Sequence, residues 1–295
     1  MNPDVTGERA ASVLTLKDGR RLGYAEFGDP QGEPLLFFHG MPGSRLEGEL
    51  AGPAAKKLGV RVIATDRPGY GLSDFVLRRA FLDWPADVIA LADALGIGRF
   101  AVAGVSGGGP YVAACALKIP ERLTAAGIIA GVSSFDVPDA TEGMSRQNRL
   151  LFGLARRAPW LARLPMWAMS KGAGSERLVR QMTRAMPEVD RATIRRSEVW
   201  EVFKRDAAES FRQGAHGAAW ELVLYSRPWG FRLEEITMEV HLWQGELDKN
   251  VPPSMGRYQA HAIPNCRATF YPGEGHISLV VDHMEEILGA LMSQS

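Results

Sequence analysis

A chain of 295 residues that is 46% apolar and 23% charged can bury the core of one large α/β domain with an insertion, or of two domains. Lysine plus arginine and aspartate plus glutamate each number 34, so the formal charge is zero and neither nucleic acid nor an anionic membrane surface is expected as a partner. No apolar run approaches the roughly 20 residues of a membrane span, residues 1–11 lack the apolar core of a signal peptide, and Cys115 and Cys266 read as two buried thiols of a reducing compartment, so the expected location is cytoplasmic.

Residues 12–16 and 21–27 flank Asp18-Gly19, a strong hairpin signal, and predict two antiparallel strands at the start. Residues 34–38 are wholly apolar and end in His39-Gly40-Met41-Pro42-Gly43, the pattern of a strand buried on both faces that delivers a glycine loop at its carboxyl end. A helix over 47–58 and a buried strand over 60–65 follow, the strand closing in the turn-rich loop 66–74. Helical spacing of Val88, Leu91, Ala92 and Leu95 predicts a helix over 81–95, stopped by Gly96. Then come a strand, a helix over 109–119 and another buried strand over 123–130, so strands and helices alternate and the sheet is mostly parallel. Over residues 135–225 the strand runs vanish and helical stretches rich in Arg, Met and Trp replace them, with fifteen Lys/Arg against eleven Asp/Glu, too small an excess to imply an anionic partner. The core pattern resumes with strands over 239–243 and 267–271 and helices over 254–262 and 277–292. The predicted organisation is an open, mostly parallel α/β core from residues 1–134 and 226–295, with residues 135–225 as an inserted helical cap.

The chemistry centres on Gly104-Val105-Ser106-Gly107-Gly108, a G-x-S-x-G pattern between a strand end and a helix start. Such a turn forces strained angles on the serine and needs small neighbours, which Gly104, Gly108 and Gly109 provide; Pro110 suits the first turn of the helix. A serine hydroxyl is a weak nucleophile at neutral pH and needs a base, which in turn needs an orienting carboxylate. Of six histidines, His39, His216, His241, His261 and His283 sit where a structural or solvent-facing role is the expectation. His276 lies in a loop after the last strand, at the carboxyl edge where parallel sheets bind ligands. Asp248, in the loop after the penultimate strand, gives the order Ser, Asp, His that goes with this elbow; Asp136 and Glu246 are the competing carboxylates.

With these residues in place, the chain resembles the α/β-hydrolase superfamily, in particular members with a helical cap. The resemblance runs from His39-Gly40-Met41-Pro42-Gly43 through Asp66-Arg67-Pro68-Gly69-Tyr70-Gly71 and the Ser106 elbow to the Asp248 loop and Gly275-His276. It implies an oxyanion hole made by the backbone N–H groups of Met41 and Gly107. Relatives that use an aspartate nucleophile, the haloalkane dehalogenases and epoxide hydrolases, are disfavoured by Ser106. Proline iminopeptidases, which usually carry tryptophan after the serine, and bacterial perhydrolases and non-haem haloperoxidases, which commonly carry methionine there, are disfavoured by Gly107.

The expected function is hydrolysis of carboxylic esters of small or medium apolar compounds through an acyl-enzyme. Ser106 is the expected nucleophile, His276 the base and Asp248 its orienting acid, with no cofactor or metal. An aminopeptidase or amidase of the proline iminopeptidase type is the rival enzyme; a ligand sensor that retains the triad is the rival outside enzymes. The cap, entering and leaving at the carboxyl edge of the sheet, is expected to roof Ser106, with Trp160, Trp167, Trp200 and Trp220 as substrate-binding residues.

Overall fold

The computed structural model describes residues 9–293 except 136, 138, 139 and 185. Among these residues, eight strands form one sheet: β1 (Arg9–Thr15), β2 (Arg21–Gly28), β3 (Glu33–Phe38), β4 (Val60–Thr65), β5 (Phe100–Val105), β6 (Leu123–Ile129), β7 (Val240–Gly245) and β8 (Cys266–Tyr271). Their order is β1-β2-β4-β3-β5-β6-β7-β8. β2 pairs antiparallel with both β1 and β4, and every later pairing is parallel. The hairpin between β1 and β2 turns at Gly19, whose φ of 87° only glycine adopts freely.

The helices are α1 (Gly52–Leu58), α2 (Trp84–Ala94), α3 (Gly109–Lys118), α4 (Arg146–Arg157), α5 (Arg163–Gly172), α6 (Glu176–Thr183), α7 (Glu188–Ile194), α8 (Ser197–Ser210), α9 (His216–Tyr225), α10 (Pro253–Ala262), α11 (His276–Asp282) and α12 (Met284–Met292). The pleat sorts the core. On β3 and β5, Leu36, Phe38, Phe100 and Val102 pack with Leu91 of α2, Val112 of α3 and Met255 of α10. Their alternates Leu35, Phe37, Ala101, Ala103 and Val105 pack with Ala55 of α1 and Ile287 and Leu291 of α12. The central strands are therefore buried on both faces, which is why they read as continuous apolar runs rather than alternating ones.

Helices α4 to α9 all fall between β6 and β7 and have a small core of their own, including Ala155, Met166, Phe211 and Leu222. Three predicted helices are interrupted, the one expected over 81–95 because Phe81–Asp83 form a 3-10 turn before α2. The one expected over 47–58 begins as a 3-10 turn over Arg45–Ala51, capped by the Ser44 hydroxyl, and becomes α-helical only at Gly52; Pro53 has no N–H to continue the ladder backwards. The one expected over 277–292 is split at His283 into α11 and α12. Cys115 is buried and unpaired as expected, but Cys266, also unpaired, is only half-buried because β8 is an edge strand. Among the described residues, no helix is long and apolar enough to cross a membrane.

Candidate active site

Strand β5 delivers Ser106 to the carboxyl edge of the sheet with φ at 54°, a left-handed conformation that costs a non-glycine residue and persists only where the surroundings enforce it. Those surroundings are the glycines. A Cβ at Gly104 would meet the Gly108 carbonyl oxygen at 2.5 Å, one at Gly108 would run into the Phe38 carbonyl, and one at Gly109 would lie 2.9 Å from Gly131 Cα. Helix α3 starts directly beyond, with Pro110 in its first turn. Gly107 and Met41 are in close contact: a Cβ on Gly107 would stand 2.8 Å from Met41 Cβ and 2.6 Å from the Tyr225 hydroxyl.

His276 opens α11 and is 6% exposed, and Asp248, in the loop after β7, is 2% exposed. The His276 Nδ1 and Asp248 Oδ2 atoms are 2.6 Å apart. The carboxylate is itself fixed, since its Oδ1 accepts the N–H groups of Asn250 (2.8 Å) and Val251 (3.0 Å). Burial alone would draw the His276 imidazole down in pKa; the Asp248 carboxylate, with Asp190 and Glu47 adding to it, outweighs burial and holds the ring above its ordinary value. Of the competing carboxylates, Glu246 pairs with Arg257 at 2.6 Å, and Asp136 lies outside the described residues.

The other histidines occupy structural or surface positions. His39 is fully buried, its Nδ1 bonded to the Gly40 carbonyl (2.7 Å) and its Nε2 accepting the Arg67 N–H (3.2 Å), so it splices the loop after β3 to the loop after β4. Burial, reinforced by Arg67, keeps this ring neutral by lowering its pKa well below the ordinary value. His241 pairs with Glu239, and His283 lies beside Glu274 and Glu286.

Beneath the glycine loops is a buried polar hub that sequence reasoning did not find. Glu221 of α9, with no exposed surface, accepts from Arg67 Nε (2.7 Å), Arg79 (2.9 Å), the Tyr70 hydroxyl (2.8 Å) and the Tyr111 hydroxyl (2.5 Å). Burial opposes its ionisation, but the two guanidinium groups prevail and lower its pKa. Arg67 also donates to the carbonyls of His39 and Gly40, and the Tyr225 hydroxyl donates to the Gly107 carbonyl at 2.7 Å. The loops carrying Met41 and Gly107 are thus braced from one hub. The sequence marks 66–74 only as turn-forming and α9 only as helical, so the single available signal was an arginine within an otherwise turn-like loop.

Two cavities meet at Ser106, His276, Met41 and Asn250. One, about 140 Å³, is walled by apolar side chains including Leu50, Phe203, Phe211 and Val280, and is also lined by Glu47 and Asp206. The other, about 150 Å³, combines Phe152, Met166 and Met169 with the polar side chains of Ser145, Gln147 and Asn148. Burial raises the Glu47 carboxyl to about 7, against the opposing Gly40 N–H, which it accepts at 2.6 Å. Burial and the neighbouring Glu47 raise Asp206 well above the ordinary carboxyl range, although its Oδ1 accepts the Ser44 N–H at 2.8 Å and hydroxyl at 2.6 Å.

The helical insertion therefore contributes to both cavities, but not through its tryptophans. Trp160 and Trp167 are 74% and 58% exposed, Trp200 lies in a surface groove with Arg180 and Arg195, and Trp220 lines another with Phe75 and Leu77. None of the four lines either cavity. On α5 the inward position is taken by Met166, which sends its neighbour Trp167 outward; a list of large apolar residues carries no information about which face turns inward. Among the described residues, no cluster of three or more His, Cys, Asp or Glu side chains forms a metal site.

A family model for the α/β hydrolase fold matches residues 33–282. A 2-hydroxy-6-oxononadienedioate/2-hydroxy-6-oxononatrienedioate hydrolase from Burkholderia vietnamiensis is 30% identical over 228 residues, 74% of this chain and 70% of that protein. The dihydrolipoyllysine-residue acetyltransferase component of an acetoin cleaving system from Pseudomonas putida is 38% identical over 113 residues, 38% of this chain and only 30% of that protein's length. The crystal structure of a hydrolase from Pseudomonas aeruginosa superposes with a TM-score of 0.71 at 21% identity, covering 97% of this chain and 98% of that one. With the strand order, the serine elbow and a family match over most of its length, the chain belongs to the α/β-hydrolase family.

Proposed function

We propose that the protein is a serine carboxylesterase acting on neutral esters of small to medium size. The observation that carries the reading is the buried 2.6 Å contact of Asp248 with His276, a residue that lines the same two cavities as Ser106. Asp248 holds the Nδ1–H, which leaves Nε2 as the acceptor for the Ser106 proton. Ser106 Oγ attacks the ester carbonyl carbon, its proton passes to His276, and the carbonyl oxygen takes up negative charge against the N–H groups of Met41 and Gly107. Such donors are each worth on the order of 10²–10³ in rate. Collapse returns the proton to the departing alcohol and leaves Ser106 acylated; water, deprotonated by His276, then releases the acid.

Charge supports a neutral substrate. Among the described residues no lysine or arginine lines either cavity, whereas Glu47 and Asp206 line one of them, so an anionic acyl group would meet no cationic partner in either. That argues against a doubly carboxylated substrate of the kind named for the Burkholderia relative. The apolar walls favour alkyl or aryl groups, and the unpaired thiols of Cys115 and Cys266 support a reducing compartment such as the cytoplasm. A panel of aryl esters and amino-acid arylamides, run with wild type and Ser106→Ala, tests the reading. Ester turnover that disappears in the variant supports it, arylamide turnover moves the protein to the aminopeptidases, and ligand binding without turnover makes it a sensor.

A further inference from the structure

Asp190, on α7 of the helical insertion, has no exposed surface. Its Oδ2 accepts the backbone N–H of His276 at 3.0 Å, and its Oδ1 accepts those of Ile277 at 2.8 Å and Ser278 at 3.0 Å. These are the first amides of α11, which have no partner within their own helix. The residue preceding them, Gly275, has no side chain to cap them, and a Cβ there would run into the Asp190 carboxylate. The cap of the helix that begins with His276 is thus supplied from a segment 86 residues away in sequence. The far end of α11 is held by the same insertion: Thr193 Oγ1 lies 3.4 Å from Asp282 Oδ2, and Arg196 forms an ion pair with the same carboxylate.

We propose that Asp190 is a positioning residue for His276, through which the helical insertion fixes the place of the catalytic base. The proposal rests on the assignment of His276 as that base. The α7 carboxylate does two things at once. It anchors the backbone from which the imidazole projects, so the ring that meets Asp248 at 2.6 Å is held at the cavities that Ser106 also lines. It also sets a negative charge beside the ring. The titratable groups facing that ring are Asp248 from the loop after β7, Asp190 from α7 and Glu47 from the turn before α1, with Asp206 of α8 lining the same cavity. On this arrangement the insertion is part of the catalytic apparatus as well as a roof, and it cannot lift from α11 without releasing His276.

The test compares wild type with Asp190→Asn and Asp190→Ser, which remove the charge but keep an acceptor, and Asp190→Glu, which keeps the charge. Two readouts are taken on the full chain: the His276 titration by NMR with ring-labelled histidine, assigned with His276→Gln, and the pH profile of kcat/KM on an aryl ester. The uncharged variants are expected to lower the His276 pKa by about half a unit to one unit and to move the acid limb of kcat/KM with it. They should also lower kcat by about 10–100-fold with KM nearly unchanged, as loss of a well-placed base does. Asp190→Glu should keep the titration near that of wild type. A residue that merely stabilised the fold would lower the melting temperature and move neither titration nor limb, and that result in whichever uncharged variant folds overturns the proposal. The NMR titration needs no turnover, so it reads the role of Asp190 even if wild type hydrolyses no ester, an outcome that would instead refute the esterase assignment.

Discussion

Ser106, His276 and Asp248 lie far apart in the chain, and their contribution is measurable one residue at a time. Ser106→Ala and His276→Ala are each expected to lower kcat on an aryl ester by several orders of magnitude, with the double variant hardly worse than either, because a nucleophile and its base act as one unit. Multiplicative losses would contradict this. The raised pKa of His276 sets the direction of the pH profile expected from the proposed mechanism: a base that takes the Ser106 proton must be neutral, so the acid limb of kcat/KM should have its midpoint above 6.5, the ordinary histidine value. A limb centred below 6.5 would show that burial outweighs Asp248 in solution. Glu47 gives a second pH signature. Its pKa is raised from 4.5 to about 7, so the folded state binds more protons than the unfolded one between those values and stability contributed by the neutral form falls as pH rises through them. Glu47→Gln keeps an acceptor for the Gly40 N–H without a buried charge. It should raise the melting temperature at pH 8 by a few degrees and leave it near wild type at pH 4.5.

Among the elements, α9 is the least obvious and the most consequential after the serine elbow. It belongs to the helical stretch between β6 and β7, yet Glu221 holds Arg67 and Arg79 on the core loops and Tyr225 reaches the Gly107 carbonyl. Burying two guanidinium groups is tolerable only with a carboxylate among them, and removing that partner leaves them uncompensated. Glu221→Gln is therefore expected to cost about 3–5 kcal/mol of unfolding free energy, measured by denaturant titration. A loss below about 1 kcal/mol would mean that the surrounding hydroxyls alone satisfy the arginines. β5 and α3 show the opposite situation, since nearly everything that shapes the elbow is local: Gly104, Gly108, Gly109 and Pro110 are all within four residues of Ser106.

For the whole molecule, the meeting of core and insertion creates the two cavities. Phe203 of α8 and Met166 of α5 reach them from the insertion, while Leu50 and Val280 reach one from the core. Substrate selection should follow that geometry. Phe203→Ala is expected to change the ratio of rates on short and long acyl esters by several-fold, whereas Trp160→Ala and Trp167→Ala, at exposed positions, should leave the ratio within about twofold of wild type. The check is a series of p-nitrophenyl esters of graded acyl length, with melting temperatures measured alongside. If the exposed tryptophans changed the profile and Phe203 did not, the acyl group would bind outside these two cavities.

What the sequence determined by itself was everything written in local pattern. Continuous apolar runs mark strands buried on both faces, Asp18-Gly19 marks the hairpin, and glycines around Ser106 mark a strained turn, because each follows from backbone sterics and from the period of burial along one element. The chain order of Ser106, Asp248 and His276 was legible for the same reason, each standing just past the carboxyl end of a recognisable strand. Tertiary structure decided the rest. Periodicity identifies an amphipathic helix without saying which neighbour its apolar face meets, so the tryptophans were expected in the cavity where methionines and phenylalanines stand. The buried carboxylates were hidden more deeply, since Glu221 meets Arg67 across 154 residues and Asp190 meets His276 across 86. An aspartate or glutamate on a helix is a solvated charge in any local reading, and only the packing of distant elements supplies the donors that make its burial possible.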